Sequence, residues 1–397
     1  MIDHPFFRQA LPVIERLEAS GYKAYFVGGA VRDLFLSRPI HDVDIATSAT
    51  PSEVKSVFTH TVDVGIDHGT ILVLHNGTGF EVTTFRTESE YSDFRRPDHV
   101  EFVRSLYEDL KRRDFTMNAM AMNKDGEWID PFNGKDDIQK GIVRTVGRAV
   151  ERFSEDALRM MRAARFVSQL SFDLDEETKK AMKEHAPLLG HIAVERKLNE
   201  MDKLLTGRDR CRALSALIET NLYRFLPGLH EQKEALIRLA KLPLEQLTVE
   251  QVWVVMAYLC TNHEAAPFLK DWRLPQKRIK RIVQSIRTLK QLQAEGASDW
   301  LLFQSGLDSA VDAAIAAAVL SGGKVDLKEV TSRFESLPIK SRHDLAITGK
   351  ELMKWADKPR GMWIKEVLER TERAVIAGNV RNDRLEIEGW LRTCNLL

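Results

Sequence analysis

The sequence predicts an α+β head followed by an all-α extension, and three observations carry that prediction. Up to about Gly147, short β-branched or aromatic segments alternate with Gly, Pro and Asn. Beyond Gly147 strand signals nearly vanish. The remainder reads as amphipathic helices broken at Pro187, Pro227, Pro243, Pro275 and the Gly322-Gly323 pair. With 397 residues, 44% apolar and 29% charged, the chain can bury a sizeable core and suffices for several domains. No low-complexity tract stands out, and no repeat is persuasive enough for a solenoid.

In chain order, Phe7, Leu11, Ile14 and Leu17 have helical spacing over residues 5–20, and Gly21 stands where that helix would stop. Strands are expected at Tyr25 to Gly28, Val43 to Ala46, Thr70 to Leu74 and Phe80 to Phe85. Basic and acidic residues number 58 each, which excludes a uniformly basic coat, so a nucleic-acid partner would have to be met by local basic patches. Cys211, Cys260 and Cys394 form no CxxC pair, which fits neither a disulfide framework nor a zinc site. The N-terminal stretch carries acidic Asp3 and no basic n-region before a long apolar run, and no segment reads as a membrane span. A cytoplasmic protein without a membrane partner is the expectation.

Two motifs carry chemistry. Gly28 and Gly29 follow a strand directly and precede a helix expected near Ala30, so their amides can approach a phosphate with no Cβ to hold it off. The alternative is a plain tight turn, with Arg32 and Asp33 as a surface ion pair. Ten residues on, Asp42 and Asp44 stand at i and i+2, and on a strand both would point to one face. Like charges so close are costly unless a cation neutralises them, which makes the two aspartates candidate catalytic Mg²⁺ ligands. The alternative is a solvated edge strand, which the upstream Gly-Gly turn argues against.

Gly28-Gly-Ala-Val-Arg-Asp33 followed by Asp42-Val-Asp-Ile-Ala-Thr47 resembles the signature of the DNA polymerase β nucleotidyltransferase superfamily, specifically class II tRNA nucleotidyltransferases and bacterial poly(A) polymerases. Leu110-Lys-Arg-Arg-Asp-Phe-Thr-Met-Asn-Ala-Met120 resembles a second head motif, and Ser154-Glu-Asp-Ala-Leu-Arg-Met-Met-Arg-Ala-Ala-Arg-Phe166 the base-selecting motif. Ile347-Thr-Gly-Lys-Glu-Leu-Met353 and Pro359-Arg-Gly361 are similar to the C-terminal part of the shorter bacterial CCA-adding enzymes. The resemblance implies a polymerase-β-like head (1–147), a helical neck (148–206), a body (207–320) and a tail (321–397). It implies Mg²⁺ at Asp42 and Asp44 and nucleotide contacts from Gly29, Arg32 and Arg113. Glu81 is the candidate for the third carboxylate that the superfamily often uses, with an exposed strand Glu as the alternative. Addition of CCA to tRNA from CTP and ATP is the implied activity. A poly(A) polymerase and an enzyme that adds only the final A remain alternatives, and a homodimer stays open.

The segment from Ser154 reads as one largely buried helix, apolar at Ala157, Leu158, Met160, Met161, Ala163, Ala164, Phe166 and Val167. Asp156, Arg159, Arg162 and Arg165 recur every third residue as a polar ridge. Intrahelical salt bridges are one reading. A base-selecting reading explains more: a carboxylate accepts, a guanidinium donates, and cytosine and adenine each present an amine donor beside a ring-nitrogen acceptor. Uracil and guanine put a carbonyl where that amine would be. The family assigns base selection to the positions of Asp156 and Arg159, with Arg162 and Arg165 also at the nucleotide. The polar stretch Thr87 to His99 matches a family loop needed for adenine addition. Lys277, Arg278, Lys280 and Arg281 form a candidate RNA-phosphate surface in the body, which Lys354, Lys358 and Arg360 could extend into the tail.

Overall fold

The computed structural model describes residues 4–89, 99–261 and 264–397. The chain forms two compact units, Met1–Ala240 and Lys241–Leu397.

The N-terminal unit opens with α1 (Pro5–Ala19), which takes Pro5 in its first turn, where a missing N–H is harmless, and buries Phe7, Ala10, Val13, Ile14 and Leu17 on one face. Gly21, at φ +88°, turns the chain toward β1 (Ala24–Val27). There follow α2 (Gly29–Phe35), β2 (Asp44–Thr47), α3 (Pro51–Val57), β3 (Thr61–Gly65), β4 (Thr70–His75) and β5 (Thr78–Thr84). Helix α3 starts with a Thr50–Glu53 capping box. Strands β6 (Arg86–Ser89) and β7 (His99–Phe102) pair as a separate antiparallel ribbon. After α4 (Leu106–Lys111) come the short strands β8 (Ala121–Met122) and β9 (Trp128–Ile129).

The main sheet has the order β3-β4-β5-β2-β1-β8-β9, with β2 and β5 parallel and the other neighbours antiparallel. A cluster of Val27, Ala46, Phe85, Leu110, Ala119, Ala121 and Val146 packs against it, fixing the ends of β1 and β2 to the segment that follows α4. Four strands lie where the sequence placed them. Strand β3 escaped although Val62 and Val64 alternate with Thr61, Asp63 and Gly65: it is a short edge strand whose two valines are exposed, so the alternation marks no buried face. Strands β8 and β9 have two residues each, too few for a period.

The helical remainder of this unit comprises α5 (Gly134–Lys140), α6 (Ala149–Glu155), α7 (Leu158–Leu170), α8 (Glu176–His185), α9 (Val194–Thr206), α10 (Arg210–Glu219) and α11 (Lys233–Ala240). Strand β10 (Ile142–Val143), after α5, pairs in parallel with β11 (Asp173–Leu174), after α7, and so ties α7 back to the sheet-bearing part. The helix expected from Ser154 is two helices. The chain leaves helical geometry at Asp156, at φ −134° and ψ 102°, because the Asp156 carboxylate accepts the Leu158 amide at 3.0 Å and starts α7 afresh.

The C-terminal unit contains α12 (Val249–Cys260), α13 (Ala265–Asp271), α14 (Gln276–Glu295), α15 (Asp299–Ser321), α16 (Leu327–Glu335), α17 (Gly349–Ala356), α18 (Trp363–Ile376) and α19 (Arg384–Thr393). One core here joins Leu302, Leu337, Ile339, Leu352, Val375, Ile387 and Leu391. Among the described residues α15 alone is long and apolar enough to cross a membrane. It leaves helical geometry at Gly306, and its Asp312 is fully buried against Arg281, Gln251 and Ser285, which makes it a core helix.

Candidate active site

The predicted chemistry converges where β1 ends. Gly28 takes φ +75°, a conformation that strains any residue with a Cβ. A Cβ there would also stand 3.2 Å from Asp44 Oδ2 and 3.5 Å from Arg113 Nη1. The glycine thus lets the backbone, a carboxylate and a guanidinium meet. At Gly29, the first residue of α2, an added Cβ would meet Arg32 Nη2 in ordinary contact at 3.7 Å.

Asp44 opens β2 opposite Val27. Its neighbour Ile45 pairs with Val82, so Glu81 is the adjoining residue on β5. Burial first, then Asp42 and Glu81, push the Asp44 carboxyl up to about 6, and only Arg113 opposes them. Asp42 corrects the expected strand geometry: β2 begins at Asp44, so Asp42 lies on the entering chain, exposed, with buried Val43 between the two. Among the described residues no group of three or more acidic, His or Cys side chains is arranged to hold an ion, so Asp42 and Asp44 stand as a pair with Glu81 as an electrostatic neighbour. Carboxylates crowded this way, with Arg113 alone opposing them, carry an excess of negative charge, and this fits a hard divalent ion that takes one or two carboxylates.

The arginines are arranged in the opposite manner. Arg113 donates to Asp109 Oδ2 at 3.1 Å and to the Asn118 carbonyl at 3.3 Å. Arg32 grips Asp33 with two N–H groups, at 3.0 and 2.9 Å, and reaches Asn118 Oδ1 at 2.7 Å. The expected ion pair therefore exists, but it also joins a network. Asn118 donates to Asp114 Oδ1 at 3.1 Å, and Arg162 Nε donates to Asp114 Oδ2 at 2.7 Å. Burial alone would raise the Asp114 carboxyl, but Arg162, Asn118 and Arg159 together hold it at about 2. Arg165 lies against buried Glu200 of α9, Nε to Oε2 2.8 Å. Around the Phe166 ring stand Arg165, Arg32 and Arg162, at 4.2, 5.2 and 6.0 Å from its centroid. Sequence reading missed Asp114 and Asn118 as parts of this network, although both lie in the quoted segment Leu110 to Met120.

Asp156 and Arg159 come to one end of α7 but are not paired with each other. Arg159, buried, donates to Glu155 Oε2 at 2.5 Å and to the carbonyls of Arg152 and Arg112, each at 3.2 Å. Asp156 accepts from Arg196 of α9, Nη2 to Oδ2 3.0 Å. The polar ridge is therefore neither a single Asp–Arg couple nor a set of purely intrahelical bridges. Each charge has a partner, and all four partners lie outside α7.

In the C-terminal unit the predicted basic cluster splits. Arg278 pairs with Glu250 at 2.8 Å, and Arg281 with Asp312 at 2.8 Å, while Lys277 and Lys280 are exposed. Lys354, Lys358 and Arg360 are exposed as well. Residues 90–98, the centre of the polar stretch, lie outside the described residues; its flanks are β6 and β7.

Comparison with known proteins agrees with this architecture. The family model described as "Poly A polymerase head domain" matches residues 24–144, "Probable RNA and SrmB-binding site of polymerase A" matches 171–233, and "tRNA nucleotidyltransferase domain 2" matches 245–391. The chain is 51% identical to the CCA-adding enzyme of Geobacillus sp. (strain WCH70) over 98% of each protein, and 45% identical to that of Bacillus cereus (strain ATCC 10987 / NRS 248) over 98% of the chain and 99% of the relative. The crystal structure of the Bacillus stearothermophilus CCA-adding enzyme in complex with CTP superposes with a TM-score of 0.91 at 45% identity, covering 99% of this chain and 98% of that one. With the Thermotoga maritima CCA-adding enzyme complexed with tRNA, at 19% identity and a TM-score of 0.67, the chain shares its fold. Head, helical extension and full-length identity together show that the chain belongs to the bacterial class II CCA-adding enzymes.

Proposed function

We propose that one Mg²⁺-dependent site in the N-terminal unit completes the 3′ end of tRNA, adding C, C and A from CTP and ATP without a nucleic-acid template. The observation that carries this is the junction at Gly28, where crowded carboxylates meet Arg113. The Gly28-Gly29 turn, Arg32 and Arg113 would bind the triphosphate, and Asp42 and Asp44 would hold the metal, with Glu81 as a third carboxylate beside them. When bound, Mg²⁺ would neutralise charge on the phosphates and lower the cost of deprotonating the RNA hydroxyl. The terminal 3′ oxygen of the RNA attacks the α-phosphorus, and the bond to pyrophosphate breaks. Asp156 would accept the exocyclic amine of C or A, while Arg159 donates to the adjacent ring nitrogen. Because both are held by neighbouring side chains, they can reject a carbonyl without rearranging. Arg162 and Arg165, fixed by Asp114 and Glu200 around Phe166, would line the nucleotide.

The same reading divides the chain into head (1–147), neck (148–206), body (207–320) and tail (321–397), with the last two meeting tRNA. Cys211, Cys260 and Cys394 form no disulfide, which suits a reducing cytoplasm. All the proposed catalytic groups come from one unit of one chain, so a homodimer would not be needed for the chemistry. A poly(A) polymerase would share the head residues. Incubating the pure protein with tRNA lacking CCA and with radiolabelled CTP and ATP separates the readings: two CMP residues followed by one AMP are expected, and repeated AMP without CMP would overturn the proposal.

A further inference from the structure

The helix behind the ridge matters as much as the ridge itself. Arg196 and Glu200 stand one turn apart on α9 and meet different stretches of the ridge, Arg196 at Asp156 just before α7 and Glu200 at Arg165 in its middle. The two contacts differ in kind. Glu200 braces an arginine that would line the nucleotide, whereas Arg196 holds the one carboxylate that would read a base. Asp156 is anchored twice: Oδ1 accepts the Leu158 amide at 3.0 Å, and the Arg196 guanidinium spans both oxygens, Nη2 to Oδ2 at 3.0 Å and Nη1 to Oδ1 at 3.5 Å. Its orientation is therefore set by the start of α7 and by α9 together. With Arg196 removed, only the amide at Oδ1 remains among the described contacts, and Oδ2 is free to swing.

From this geometry we infer that Arg196 is a specificity-determining positioning residue: by fixing the Asp156 carboxylate, it makes the site accept an amine and refuse a carbonyl. The inference rests on the base-selecting reading of Asp156. A fixed, ionised carboxylate offers only acceptors, so uracil or guanine must leave its own carbonyl facing a lone pair. A carboxylate free to rotate loses that refusal while still accepting cytosine and adenine in some orientations. Arg196 itself need not touch the nucleotide. Its planar fork spans two oxygens, which an ammonium cannot do, so lysine should restore the charge but not the full alignment.

The experiment measures kcat/KM for CTP and UTP on tRNA lacking CCA, and for ATP and GTP on tRNA ending in CC, in the wild type and in Arg196→Gln, Arg196→Lys, Glu200→Gln and Asp156→Ala. Arg196→Gln should lower the CTP/UTP and ATP/GTP ratios by at least about tenfold. Arg196→Lys, which keeps the charge and protects against simple misfolding, should fall between the wild type and Gln. Glu200→Gln should lower all four values together and leave both ratios within about threefold. If the Arg196 variants also lower all four values together, Arg196 is a brace like Glu200 and the inference fails. Asp156→Ala tells that failure from a deeper one: ratios that narrow in Asp156→Ala but not in Arg196→Gln overturn only the role of Arg196, whereas ratios unchanged in both remove the base-selecting reading.

Discussion

Asp44 and Asp114 belong to the same unit, and burial pushes the carboxyl of each toward the protonated form, yet the two end in opposite states. Asp44 is left with Asp42 and Glu81 as company and only Arg113 against them, and its carboxyl rises to about 6. Asp114 has Arg162, Asn118 and Arg159, and its carboxyl is held at about 2. A carboxylate supplied with its own cation becomes scaffold. One whose carboxylate neighbours outweigh its single opposing guanidinium stays poised for an external cation, and stability is given up to keep it so. The same division separates the metal end of the proposed site from the base-reading end, where each ridge charge from Asp156 to Arg165 has a protein partner.

The largest effects should come from testing that contrast directly. Asp44→Asn is expected to lower the addition of both CMP and AMP by roughly a thousandfold, since one metal site would serve every step. Thermal unfolding without Mg²⁺ should occur at the same temperature or higher, because the variant loses a charge that burial disfavours. Appreciable transfer, or a lowered unfolding temperature, would move Asp44 into the scaffold. Asp114→Ala should do the reverse in stability. It strands Arg162 beside a vacated, buried position, and urea unfolding should show a loss of roughly 2–3 kcal/mol. A loss below about 0.5 kcal/mol, the level of a surface substitution, would mean that the Arg162 pair is not part of the brace.

The two aspartates should also respond to pH with opposite signs. Asp114 is depressed in the folded state, so its contribution is present above the ordinary carboxyl range and is lost as pH falls from about 4 through about 2, amounting to roughly 2 kcal/mol. Asp44 is raised, so its contribution is present in acid and is lost as pH rises through about 6. Relative to Asp44→Asn, the metal-free wild type should therefore lose about 1 kcal/mol between pH 5 and pH 7.5 in urea titrations. Mg²⁺ affinity, followed by calorimetry, should weaken below about pH 6 as Asp44 takes a proton. A Mg²⁺ affinity unchanged from pH 7.5 to pH 5 would place the ion away from Asp44.

How much of this was legible in sequence depends on distance along the chain. The Gly28 turn and Asp44 were readable because strand, glycine and carboxylate follow one another in order along the single stretch from Tyr25 to Asp44. Asp42 was placed on the strand because alternation is all that a sequence shows, and the strand begins two residues later. The break between α6 and α7 was invisible because Ser154 to Phe166 keeps an unbroken helical pattern; what ends α6 is one side-chain bond from Asp156 to the Leu158 amide. The partners of the ridge were out of reach for another reason. Asp114 lies 48 residues before Arg162, and Arg196 lies 40 residues after Asp156, so only the fold brings them together.

The smallest predicted effect carries the contrast between paired and unpaired charge into the C-terminal unit, where four neighbouring cations looked equivalent in sequence. Arg278 and Arg281 are committed to Glu250 and buried Asp312, whereas Lys277 and Lys280 stand exposed on the first turns of α14. An ion-paired arginine has already released its counterions to a protein carboxylate and gains little by meeting a phosphate. An exposed lysine releases one on contact, and each such contact steepens the salt dependence of binding by a little under one. If this helix tracks tRNA phosphates, Lys277→Gln with Lys280→Gln should flatten the plot of log Kd against log salt by about 1 to 2 and leave stability within about 0.5 kcal/mol. Arg281→Gln should instead leave the slope nearly unchanged and destabilise the fold, because Asp312 would be left buried with only Gln251 and Ser285 as donors. Filter binding of tRNA between about 50 and 200 mM salt, with urea unfolding of the same samples, separates the two outcomes. A slope that flattens for Arg281→Gln as much as for the lysine pair would mean that the Asp312 bridge opens on the RNA, and that pairing in the free protein does not decide which cations bind.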